Sequence, residues 1–422
     1  MAITRTAADR SGGRFGARWL AGRPRLVLAG VCVLLVGLNL RPAITAVALV
    51  LSEIRASYGL DPALAGLLTT VPLLMLVALS AFMPVLGRRF GMARVILASL
   101  IVLGAGFGLR LIPGVWWMFV GMAVIGAAIA AGNVLLPAFI KGVYPGFAGP
   151  LTGLYTVSLY AGPALAAAAT VPLARATGSW QFAITAWVGL VALAVPVWLT
   201  QIRRVARSPG RGRPEAGATG SSREPSGVGA TTTPRVWSSP TAWAVTGFFA
   251  VLSALFYTIS AWLPTIMTDR GLDQAHAGLI LTWVNLAAIP CALIVSIAVH
   301  RTRRQVWATT SGACLLGVGL TGLVIGPIGT TGLWAVVFGL GHGVATGVAY
   351  SLPLLRSTSA AQTASLGGMS QTAGYALSAA GPAGIGAVYQ GTGSWTPVLA
   401  ILLVAIAFQG VVGLKAARPA HS

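Results

Sequence analysis

Carboxylates are scarce in this sequence. Its 422 residues include 7 aspartates and glutamates against 28 lysines and arginines. Charged residues of both signs reach only 8%, where a soluble globular chain carries about 25%. None of the seven acids falls inside a long apolar run. Asp9, Glu215 and Glu224 lie in basic polar stretches, and Glu53, Asp61, Asp269 and Asp273 lie in short segments between runs. That excludes a membrane-embedded carboxylate to meet a cationic drug, and a buried acid to serve a nucleophile. Cysteine is nearly absent. Cys32, Cys291 and Cys314 each sit within an apolar run, without zinc spacing or a disulfide framework. There is no GxxxxGK[ST] loop and no cluster of His, Cys and carboxylates at metal-ligand spacing. The expectation is a chain that is not an enzyme, needs no cofactor and hydrolyses no ATP itself.

Apolar residues are abundant, at 56%. They come in runs of about 20, the length of a membrane-crossing helix. The 54 glycines and 24 prolines suit that setting, because neighbouring membrane helices re-satisfy freed backbone groups. Twelve helices are predicted, near 26–50, 63–86, 93–112, 115–140, 150–174 and 180–201, then 241–267, 276–299, 306–326, 331–355, 363–389 and 395–414. The expected class is an all-α membrane protein in two pseudo-symmetric six-helix bundles, 26–201 and 241–414. A basic disordered tail, 1–25, precedes them. A Gly/Ser/Pro/Arg-rich linker, 202–240, cannot bury a core and separates them. A short tail, 415–422, follows. The basic N-terminus does not read as a signal peptide, because the first run is too long and lacks a cleavage site.

The net charge of +21 does not point to nucleic acid, because the basic residues form no single face. Twelve helices place 23 of the 28 lysines and arginines on one side and only Arg55, Arg175 and Arg270 on the other. Basic loops stay inside, so both termini are expected in the cytoplasm of a cell with a bacterial-type inner membrane. The lipid bilayer is one partner and a small-molecule substrate the other.

The halves repeat. GLDPALAGLLTT (59–70) matches GLDQAHAGLILT (271–282), AGPA (161–164) matches AGPA (380–383), and TGSW (177–180) matches TGSW (392–395), at offsets between 212 and 219. Parallel repeats of this kind place a substrate near the midplane, between the halves.

Two residues, Arg41 and Arg110, are basic within apolar runs. Arg41, in LNLRPAITAV, stands roughly 22 Å along its helix from Leu26. An intramembrane arginine is a functional candidate by default, and Pro42 beside it predicts a bend. Without a carboxylate in any helix core, Arg41 suits an anionic or strongly dipolar ligand. His342 shares a face with Thr346 and Tyr350, and is the candidate for coupling to protons. Asn133, Tyr155, Tyr257, Asn285, Gln371 and Tyr375 are further candidate substrate contacts, each set against ordinary helix packing. Gly162–Pro163 and Gly381–Pro382 occupy matching places and are expected to allow close approach and bending.

LNLRPAITAV (38–47), GLLTTVP (66–72), GNVLLPAFIK (132–141), YPG (144–146) and TGLYT (152–156) together resemble the cyanate/2-nitroimidazole (CynX/NimT) family of the major facilitator superfamily. The resemblance covers about 26–414. It implies two bundles working by alternating access, a cavity lined mainly by the first, fourth, seventh and tenth helices, and a small substrate such as cyanate or a nitroimidazole. Arg41 and Asn133 match its motif residues. The superfamily loop GxxxDxxGRR lacks its Asp here, where Gly87, Arg88 and Arg89 follow Val85 and Leu86. The expected activity is secondary transport of a small anion or polar heterocycle. The alternative is a broad-specificity drug exporter of the same fold.

Overall fold

The computed structural model describes residues 26–206, 236–302 and 304–417. The tail 1–25, the linker core 207–235 and the last five residues lie outside them. The described linker ends are helical: α10 runs to Ala206, and α11 begins at Pro240.

The helices are α1 (26–39), α2 (Pro42–Leu49), α3 (Leu51–Tyr58), α4 (Pro62–Ser80), α5 (Met83–Phe90), α6 (Met92–Leu109), α7 (Val115–Val143), α8 (Ala148–Thr177), α9 (Trp180–Thr185) and α10 (Val188–Ala206) in the first half. The second half holds α11 (Pro240–Asp269), α12 (Gln274–Arg301), α13 (Val306–Ile325), α14 (Thr331–Leu355), α15 (Ala360–Thr392) and α16 (Trp395–Ala417). Among the described residues ten spans are long and apolar enough to cross a membrane, with α1–α2 and α9–α10 each counted as one. The pair α4–α5, bent by 59°, makes an eleventh. The twelfth is α15, whose 33 residues are ample in length. It is less apolar because Ser370, Gln371, Tyr375 and Ser378 are buried between the halves instead of facing lipid.

The expected first helix is broken. Pro42 lacks an N–H, so the ladder stops at Leu40 and restarts at the first turn of α2. A second break at Val50 leads into α3, which places Arg55 on a helix where a loop was expected. Pro163 and Pro382, by contrast, lie inside unbroken helices.

The repeated TGSW segment has a physical basis. Gly178 and Gly393 close α8 and α15 in the left-handed conformation, which glycine adopts without a Cβ penalty. The tryptophan that follows ties the bundle together. Trp180 donates to Ser57 at 2.9 Å, and Trp395 to Asp269 at 2.9 Å.

Each bundle also uses an arginine as a brace near the same end. Buried Arg110, at the end of α6, donates to the Ala43 carbonyl of α2 at 3.1 Å and stacks over Phe107. Arg270, after α11, donates to the Leu323 and Gly326 carbonyls at the end of α13.

The halves meet most closely at their basic ends. Lys141 of α7 donates to the Leu354 carbonyl of α14 at 2.9 Å, and Arg88 of α5 reaches Ser365 of α15 at 3.5 Å. Gly149 and Gly153 of α8 pack against His300 and Leu293 of α12. These ties join the two bundles at the basic side.

Candidate functional site

The break before Pro42 places Arg41 at the N-cap of α2, off the helical path. Gly162 makes room for it: a Cβ there would lie 3.1 Å from the Leu38 carbonyl and 3.2 Å from Pro42 Cδ. That carbonyl would have accepted from the missing proline N–H, so α8 packs directly on the break. The Arg41 guanidinium stands 5.5 Å from the Phe256 ring centre and 5.9 Å from that of Tyr257. No carboxylate among the described residues pairs with it; the ion pair formed there is His276 with Asp273, both exposed. An arginine set among ring faces with no carboxylate beside it suits a ligand that brings acceptor atoms to the guanidinium.

Asn133 on α7 is fully buried and knits three helices. Its Nδ2 donates to Tyr375 Oη at 2.9 Å, and its Oδ1 accepts from Tyr155 at 3.1 Å. Its backbone carbonyl accepts from Gln371 Nε2 at 3.0 Å. That carbonyl is free because the residue four places on is Pro137, which has no N–H to offer. The proline in the family-like GNVLLP segment therefore opens an acceptor that a side chain of the other bundle fills.

Aromatic rings wall the space between. Tyr155 and Phe249 each meet Tyr350 edge to face, at 5.3 and 5.4 Å. Tyr257 meets Tyr375 at 6.5 Å. His342 is stacked between Phe256 and Phe338. Its Nδ1 is 2.6 Å from Tyr160 Oη, which is also 2.7 Å from Thr346. These bonds cross from α8 to α14. His342 Nε2 is buried with no hydrogen-bond partner among the described residues. Arg41, Tyr160, Ser253, Tyr257, His342 and Tyr350 line a cavity of about 30 Å³, room for roughly two waters.

The structure thus gathers most of the candidates. Arg41, Tyr257 and His342 line the cavity, while Asn133, Tyr155, Gln371 and Tyr375 form the layer beneath it on the basic side. Asn285 stands apart: its amide donates to the Leu281 carbonyl of its own helix. Gly381 packs against Thr258, as Gly162 packs on the first helix. Tyr160, Phe249 and Phe256 were not singled out from the sequence. Tyr160 carried a weak signal, a second mid-helix tyrosine five residues after Tyr155; the two phenylalanines carried none.

The Major Facilitator Superfamily profile matches residues 29–382. The 2-nitroimidazole transporter of Escherichia coli (strain K12) is 35% identical over 401 residues, 94% of this chain and 97% of that one. The chain belongs to the major facilitator superfamily, within its cyanate/2-nitroimidazole transporter family. An uncharacterized transporter of Bacillus subtilis (strain 168), YycB, is 36% identical over 92% of each chain. The cyanate transport protein CynX of Escherichia coli (strain K12) is 26% identical over 83% of this chain and 87% of its own length. Among solved structures, the proton:xylose symporter XylE superposes with a TM-score of 0.67 at 12% identity, covering 93% of this chain and 94% of that one. A bacterial homologue of the iron transporter ferroportin does so at 0.69 and 14%, covering 92% and 98%. These two share the fold. The superfamily is one of membrane transporters, not enzymes.

Proposed function

We propose that this transporter carries a small anion or polar heterocycle, cyanate-like or nitroimidazole-like, by alternating access across the cytoplasmic membrane. The observation that carries the reading is Arg41: a cation lining a midplane cavity, walled by aromatic rings, with no carboxylate paired to it among the described residues. Such a site favours a planar ligand with acceptor atoms, which the guanidinium grips by paired hydrogen bonds. A cationic drug would meet repulsion there. The substrates for which two relatives are named, 2-nitroimidazole and cyanate, fall in the favoured class. With the basic ends in the cytoplasm, the ties between the bundles lie on the cytoplasmic side.

The deciding experiment is ligand-induced thermal stabilisation of the purified protein with cyanate, nitrate, 2-nitroimidazole and cationic dyes. A ligand at 100 times its Kd adds about 2.7 kcal/mol when only the folded state binds it. Stabilisation by cyanate or 2-nitroimidazole, lost in Arg41→Gln, is expected. Stabilisation by the dyes alone, unchanged in that variant, overturns the reading in favour of an exporter.

His342 serves as the proton-coupling group in this reading. Its Nδ1 is tied to the opposite bundle through Tyr160, while Nε2 has no partner among the described residues. Imidazole can carry a proton near neutral pH, and an anion bound at Arg41 would offset the second positive charge in the shared cavity. Uptake by His342→Gln should lose its dependence on an imposed pH gradient, and a retained dependence removes this role.

A further inference from the structure

A second cavity lies beneath the first, toward the basic side. It measures about 10 Å³ and is lined by Asn133, Phe249, Tyr350, Gly367, Ser370 and Gln371, among others. The two cavities share Phe249 and Tyr350, whose rings meet edge to face at 5.4 Å. Those two rings border both cavities, and in the reading below they are the partition between them.

The chemistry changes across the partition. The upper cavity holds Arg41 and His342. The lower is lined by amides, hydroxyls and apolar groups, with no charged side chain. Gln371 is 3% exposed, and while its Nε2 is held by the Asn133 carbonyl, its Oε1 has no hydrogen-bond partner among the described residues. Ser370, 1% exposed, is bonded to Thr246. A buried acceptor left open costs free energy until a donor reaches it. The lower cavity therefore suits a neutral molecule carrying an N–H or O–H, and disfavours a bare anion. Its lining comes from α7 of one bundle and from α11, α14 and α15 of the other. At about 10 Å³ it holds at most one water as it stands; because its lining comes from both bundles, parting them at the basic side would widen it to the size of a ligand.

We propose that this lower chamber is a second binding station, taking a neutral, hydrogen-bond-donating small molecule such as an azole on its way between the Arg41 cavity and the basic side. The inference rests on the transport reading above. Phe249 and Tyr350 gate the passage, and Gln371 Oε1 receives the donor.

Gly367 makes the test clean. A Cβ there would come no closer than 3.8 Å to any neighbour, the Val134 carbonyl, an ordinary contact. Gly367→Ala therefore fits the fold, improves helix propensity and fills the chamber without touching the Arg41 cavity. Gly384→Ala on the same helix, where a Cβ would meet open space, controls for helix stiffening. The probes are 2-nitroimidazole and cyanate, with Kd read by thermal shift and turnover by uptake into proteoliposomes. Gly367→Ala should keep the wild-type Kd for both and a melting temperature at or above wild type. Its 2-nitroimidazole turnover should fall at least tenfold, with a smaller loss for cyanate, while Gly384→Ala matches wild type. Turnover of 2-nitroimidazole within twofold of wild type in Gly367→Ala, or an equal loss in Gly384→Ala, overturns the station. Absence of binding by the wild-type protein overturns the transport reading and the station with it.

Discussion

Gln371 Nε2 donates across the bundle interface to the backbone carbonyl of Asn133 at 3.0 Å. That carbonyl is available only because Pro137, four residues on, cannot donate to it. The pairing explains why a polar amide is tolerated in the middle of α15, and why a proline is tolerated in α7. The carbonyl gains a donor and the amide nitrogen an acceptor, while Gln371 Oε1 stays open.

The pairing predicts a non-additive pair of substitutions. Gln371→Met should cost about 1–3 kcal/mol, because it leaves a buried carbonyl unpaired. Pro137→Ala restores the N–H and the ordinary helical bond. In that background the same Gln371→Met change should cost well under 1 kcal/mol. Thermal unfolding of the four proteins of this double-mutant cycle in detergent measures the coupling. Equal costs in both backgrounds remove the proposed dependence.

The contact of α12 with α14 depends on small residues. Gly339, Gly343 and Gly347 stand four apart on one face of α14, against Val284, Ala288 and Ala292 of α12. A Cβ at Gly343 would run into the Ala288 carbonyl, and one at Gly347 would lie 2.9 Å from the Ala292 carbonyl. The obstacle in each case is backbone, which cannot swing aside, so the helices must separate. Gly343→Ala should lower stability by about 1–3 kcal/mol, although alanine is the better helix former. The same change at Gly332, where a Cβ meets open space, should be neutral or mildly stabilising. Melting temperatures of the two variants decide it.

Much of this architecture could be read from the sequence. Run lengths gave the spans, and the repeats GLD, AGPA and TGSW gave the two halves, because each marks a turn or a close helix contact that the two bundles share. Arg41 stood out because a charge in an apolar run is costly wherever it points. Local pattern did not show which polar residues would meet. Asn133 and Tyr375 are 242 positions apart, and Tyr160 and His342 are 182 apart. Their contact depends on how two bundles dock, which no period of 3.6 residues encodes. Asn285 fitted the same spacing rules as Gln371 yet bonds its own helix. The phenylalanines of the cavity wall, Phe249 and Phe256, look like any other membrane-helix residue in sequence.

Arg110 poses a different question from Arg41. It is 2% exposed, its Nη1 is bonded to Ala43, and its Nε and Nη2 have no partner among the described residues. Removing a buried charge relieves about 2.5–3.5 kcal/mol on insertion scales, while the lost charged hydrogen bond is worth roughly 1.5–3 kcal/mol. Ala43 is inside α2 and its carbonyl does not depend on the arginine alone. Arg110→Met, of similar length and without charge, should therefore be neutral to stabilising by on the order of 1 kcal/mol, measured as melting temperature. A loss above about 2 kcal/mol would instead show that the tie from α6 to α2 dominates.

Lys141 joins the bundles at the basic end, where its Nζ donates to the Leu354 carbonyl at 2.9 Å. Leu354 lies in the last turn of α14, where carbonyls lack helical partners and a cation is favoured. The bond exists only while the bundles are closed on that side, so it weights the closed form over the open one. A charge-assisted hydrogen bond contributes roughly 1.5–3 kcal/mol, and 1.4 kcal/mol is a tenfold change in an equilibrium. Lys141→Met should therefore raise the fraction open at the basic side by about tenfold. Buried Ser296 of α12, whose hydroxyl lies 3.4 Å from that of Thr156 of α8, is covered by the opposite bundle and reports on that opening. In a background with Cys32, Cys291 and Cys314 replaced by alanine, Ser296→Cys should react with a polar maleimide about ten times faster once Lys141→Met is added. Lys141→Arg, which keeps a donor in reach of the carbonyl, should leave the rate near that of the parent. An unchanged rate in Lys141→Met would mean that the helix packing of α8 on α12 and of α4 on α15 holds the basic side shut without the lysine.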